Sequence, residues 1–132
     1  YKKISIMSYT TTAHLGHDHL EWLKSIEFYE DEFDILEKRL AEIVSKNNGA
    51  EAMAGVEHFQ NQFVIQRNNM DELKHSINEH TGKVAEDAKT HMGKMEARSV
   101  GEHNQLKDRF QTLEKIVNDL RHEFNGYLSK WK

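Results

Sequence analysis

The chain has 132 residues, a net charge of −4 with histidine neutral, no cysteine and no proline. That length suits one domain with a core of its own, and the missing cysteines exclude disulfides and thiolate metal sites. The acidic balance speaks against a nucleic-acid partner, whose phosphates call for lysines and arginines, and no apolar run approaches the ~18–20 residues that cross a bilayer.

Residues 1–12 mix Ile4, Ile6, Met7 and Tyr9 with lysines, serines and threonines. They lack the apolar centre of a secretion signal, so a cytoplasmic location is expected. The segment reads as an arm laid against the helices or against a second subunit. Thr10–Thr12 then offers a hydroxyl to cap the first helix.

A long apolar stripe follows: Leu15, His19, Trp22, Ile26, Tyr29, Phe33, Leu36, Leu40, Ile43. Steps that alternate between three and four keep these side chains on one face of a helix of ~3.6 residues per turn. The spacing predicts helix 1 from about Ala13 to Asn47. Asn47-Asn48-Gly49 closes it, since Asn and Gly tolerate the left-handed conformation of a helix end. Asn48 with Glu51 resembles a capping box, so helix 2 restarts at once and the pair forms an antiparallel hairpin.

The second stripe runs Val56, Phe59, Phe63, Gln66, Met70, Leu73, Ile77, His80, Val84 and predicts a helix over about residues 50–92. Gly82 costs ~1 kcal/mol relative to alanine, but Ala88 and Met92 carry the apolar face past it, so the helix is expected to continue. After a turn near Gly93–Arg98, Ser99 with Glu102 reads as a capping box for a third helix over about 99–131. Its stripe is His103, Leu106, Phe110, Leu113, Val117, Leu120, Phe124, Tyr127, Trp131.

The expected fold is therefore all-α: an elongated antiparallel up-down-up three-helix bundle, residues 1–132 forming a single domain with an N-terminal arm. Residues 13–47 carry nine acids against four bases, and residues 98–132 seven bases against five acids, which favours these helices as neighbours. Helix 2 is expected to overhang its partners, leaving Val84, Met92 and Met95 to be covered by the arm or a second copy. Phe28 and Ile35, seven apart and off the stripe, suggest a second sticky line. Together these five residues predict a homodimer or a protein partner.

Nine histidines raise the question of a metal. Glu72-x-x-His75 has the spacing of di-iron bundles, but with Met70 and Leu73 on the stripe it falls on the outer face. Three histidines do lie on stripes: His19, His80 and His103. Counting outward from the two turns places His19 level with His80, and His80 level with Glu114. His19, His80 and Glu114 would then offer two imidazoles and a carboxylate to zinc or another divalent transition metal. The same placement suits a buried histidine pair hydrogen-bonded to tyrosine, glutamate or water, which the sequence alone favours. His91 and His103 flank the second turn and are expected to approach each other. No nucleophile motif or phosphate-binding glycine loop occurs, so no catalytic residues and no obligatory cofactor are expected.

The stretches Val56-Glu-His-Phe-Gln-Asn-Gln-Phe63, Arg67-Asn-Asn-Met-Asp-Glu-Leu-Lys-His75 and Leu120-Arg-His-Glu-Phe-Asn125 resemble uncharacterised bacterial helical proteins of similar length. The overall pattern is similar to spectrin-type three-helix repeats. This resemblance implies an all-helical bacterial protein and carries no activity. The expectation is a non-enzymatic interaction or scaffold bundle, with a metal-binding helical bundle using histidine and carboxylate ligands as the alternative.

Overall fold

The computed structural model describes residues 12–90 and 97–131. They form three helices: α1 (Thr12–Lys46), α2 (Ala50–Thr90) and α3 (Ala97–Trp131). No strand occurs among the described residues, and the fold is an all-α three-helix bundle. Among the described residues, no helix is long and apolar enough to cross a membrane.

The apolar stripes are the buried faces. Every stripe residue of α1 and α2, and those of α3 from His103 to Phe124, are buried. Tyr127 and Trp131 are half-buried. The helix interrupter candidate Gly82 lies inside an unbroken α2. At the first turn, Gly49 rather than Asn48 supplies the capping carbonyl, accepting from Met53 N–H at 3.0 Å. Asn47 closes α1 and also donates from Nδ2 to the Trp131 carbonyl at 3.0 Å.

Contacts divide the described residues into two compact units, 12–26 with 72–90 and 97–111, and 27–71 with 112–131. Each of the three helices contributes a segment to both. The second unit has an aromatic core: Phe33 meets Phe63, Phe59 meets Phe124, and Phe63 meets Phe124 at 5.0–5.5 Å between ring centres. Tyr127 lies over Gly55, where a Cβ would run into its ring, and donates its hydroxyl to the Ala52 carbonyl at 2.7 Å. Arg67 clasps Asp34 and Glu37 at 2.6 and 2.8 Å, while Arg121 forks onto Glu32 at 2.5 and 2.7 Å.

Three expectations are corrected in the first unit. Val84 is not an uncovered overhang. It is 5% exposed and packs with Leu15 and Val100, because α1 begins at Thr12 and α3 at Ala97, early enough to flank it. Ser99 opens no helix either, since it already lies inside α3. Its supposed capping partner Glu102 turns to α2 instead, reaching Lys83 at 3.1 Å. The third correction concerns the register of α2 on α3 and belongs to the site. Met92, Met95, His91 and the arm 1–11 lie outside the described residues.

Candidate metal centre

Three imidazoles, one from each helix, meet inside the first unit. His19, His80 and His103 are 2–3% exposed, and each offers a ring nitrogen within 4.8 Å of the others. They are inside because each occupies a stripe position that leucine or phenylalanine would otherwise fill. Trp22, one turn from His19, packs its indole 5.5 Å from His19 and 4.8 Å from His103 between ring centres.

Two of the imidazoles belong to a hydrogen-bonded chain. His19 Nδ1 is 3.0 Å from Thr81 Oγ1, His19 Nε2 is 3.0 Å from His103 Nδ1, and His103 Nε2 is 3.1 Å from Asp18 Oδ2. The Thr81 hydroxyl donates to the Ile77 carbonyl at 2.9 Å, so it accepts from His19 Nδ1–H. A neutral His19 then accepts at Nε2, and His103 donates from Nδ1 to His19 and from Nε2 to Asp18. Satisfying every contact therefore takes one proton beyond two neutral imidazoles and a carboxylate. Burial, followed by the charges of His103 and His80, pushes His19 down to about 4 against a partial upward pull from Asp18.

His80 is different. Neither of its ring nitrogens has a hydrogen-bond partner. Its Nδ1 stands 3.3 Å from Glu102 Oε2 without hydrogen-bond alignment. Burial lowers its proton affinity, with Glu102 pulling the other way.

This donor set fits a transition-metal ion. Withdrawing the proton between His19 Nε2 and His103 Nδ1 leaves two bare nitrogens facing each other. The far ring nitrogens keep donating to Thr81 and Asp18, the outer arrangement that orients metal-ligating histidines. Tetrahedral zinc with bonds of about 2.0–2.1 Å holds its donors roughly 3.3 Å apart, so the facing pair at 3.0 Å needs only a small separation.

The expected trio is only partly assembled. His19 and His80 come together, but Glu114 does not join them: it belongs to the other unit and accepts from the Tyr29 hydroxyl at 2.8 Å. Glu102, twelve positions earlier on α3, is the residue beside His80. Counting residues through a turn assumes that each one advances the chain by a helical rise, which a connecting segment need not do. His103 supplies the third donor, and its stripe position was the available signal. The supporting Asp18, Thr81 and Glu102 escaped because they lie beside the stripes rather than on them. His75 stays on the outer face as expected, 75% exposed and paired with Glu79 at 3.0 Å. Phe28 and Ile35 are 60% and 53% exposed. Compared with protein-family models, curated proteins and solved structures, the chain matches none, and its functional reading rests on this geometry.

Proposed function

We propose that this protein is a non-enzymatic metal-binding helical bundle that holds one divalent transition-metal ion, zinc by donor preference, on His19, His80 and His103. The observation that carries it is His80, a buried imidazole with neither nitrogen hydrogen-bonded, beside two further imidazoles. Leaving such a group unsatisfied costs about 1–3 kcal/mol, and a bound ion removes that cost. The test is metal analysis and calorimetric titration of tag-free protein. One zinc per chain is expected, with stoichiometric binding abolished in His80→Ala. A wild-type chain that takes up no zinc, cobalt or nickel would falsify the assignment.

A second role is favoured by Phe28 and Ile35, which lie seven residues apart on α1 and are more than half exposed. We propose that they form a contact with a second copy, the covered apolar area contributing ~25 cal/mol per Å². Light scattering at micromolar concentration should give a dimer mass that falls to the monomer in Phe28→Glu/Ile35→Glu. A wild-type monomer removes this role without touching the metal site.

A further inference from the structure

Three neutral imidazoles leave a dication with its full charge inside a packed bundle, and a buried charge is tolerated only when paired. One carboxylate is already in place: Asp18, 3.1 Å from His103 Nε2. A second stands against His80. Glu102 Oε2 is 3.3 Å from His80 Nδ1, and the side chain is 28% exposed. It is the carboxylate beside the imidazole that lacks a hydrogen bond, and it lies next to the three converging histidines rather than among them. We propose, building on the metal-binding function above, that Glu102 is the fourth donor and closes the centre as a His19/His80/His103/Glu102 site.

Charge and access both support this assignment. The ion's two positive charges are then balanced by Glu102 directly and by Asp18 through His103. Without metal, Glu102 is kept as a carboxylate chiefly by its hydrogen bond from Lys83, with Arg98 3.5 Å away. It turns to the ion by a change of its own side-chain rotamer. A cleft of about 180 Å³ runs beside it, lined by Ser76, Glu79, His80, Lys83, Glu102 and Arg109, and gives an ion a route from solvent to His80. Asp87 also has a buried oxygen without a partner. It lies seven residues from His80 on the same helix, about 10 Å along the axis at 1.5 Å per residue, too far to share an ion with it.

A closed tetrahedral site differs observably from a three-histidine site with an open position. Tag-free full-length protein is loaded with Co²⁺, its visible spectrum recorded, and sodium azide added. The wild-type spectrum should be that of four-coordinate cobalt and should not respond to azide. Glu102→Ala should bind Co²⁺ roughly tenfold or more weakly and acquire an azide-dependent spectrum. Glu102→Gln, which keeps the size and polarity of the side chain, should do the same, and Asp87→Asn should behave as wild type. An azide response in the wild type overturns the fourth-ligand assignment, as does an unchanged spectrum and affinity in both Glu102 variants. Failure of the wild type to take up cobalt at all overturns the metal-binding function itself.

Discussion

His80 and His103 are both buried histidines, and their surroundings give their removal opposite consequences. His80 makes no aligned hydrogen bond and its ionic contact is with Glu102, which keeps Lys83 as a partner, so replacing it with an apolar residue of similar size deletes an unsatisfied group. His80→Leu should raise the stability of the metal-free protein by about 1–3 kcal/mol while abolishing metal uptake. His103→Leu strands His19 Nε2 and Asp18, which lose their partner, and should lower stability by a similar amount. Urea titrations of the two metal-free variants check the contrast, and equal signs would refute it. Proton linkage follows from the same burial. His19 titrates at about 4 in the folded chain against 6.5 ordinarily, so the unfolded chain binds more protons between those values. Its contribution to stability is complete above about pH 6.5 and is lost as pH falls toward 4, roughly 3 kcal/mol in all. His80, shifted the same way by burial, adds to the loss. The urea midpoint of metal-free protein should therefore drop on acidification through this window, and a flat profile would count against neutral buried imidazoles.

Within the helices, two glycines make opposite predictions from their surroundings. Gly82 has nothing within 4 Å of where a Cβ would sit, so Gly82→Ala should stabilise α2 by about 0.5–1 kcal/mol through helix propensity alone. Gly55 faces the Tyr127 ring, and Gly55→Ala must displace it and break the bond to the Ala52 carbonyl. A cost of about 1–3 kcal/mol is expected, as for other overpacked sites. Thermal melts followed by circular dichroism separate the two. The helices themselves were legible in the sequence because a stripe stepped by three and four residues has one geometric solution, and Gly82 could not break it. The burial of the three histidines was legible for the same reason: stripe position alone places His19, His80 and His103 inside. The partnering was not, since the level of Glu102 against His80 depends on the path between α2 and α3, which apolar spacing does not encode. Nor could spacing reveal that Val84 would be covered, because that depends on where the neighbouring helices begin.

For the molecule as a whole, a bound ion should act on the unit that holds it. Zinc at a hundredfold excess over its dissociation constant stabilises the native state by about 2.7 kcal/mol, visible as a melting temperature that rises with zinc and returns on adding a chelator. Amide hydrogen exchange should slow most in residues 12–26, 72–90 and 97–111, which carry the ligands, and least around the Phe33, Phe59, Phe63 and Phe124 core of the other unit. A uniform change across both would contradict a local site. The distance between ligands along the chain has a further consequence. His19 and His103 are 84 residues apart in sequence, so an ion joining them closes a long covalent-chain loop, as a disulfide would. A disulfide over such a loop would remove about 4–5 kcal/mol of freedom from the denatured chain, whereas an ion that leaves on unfolding stabilises only through its binding, by an amount set by its concentration. With the proposed ion bound, a protein without a single cysteine would have a fastening that no reductant can cut and that chelators and acid open.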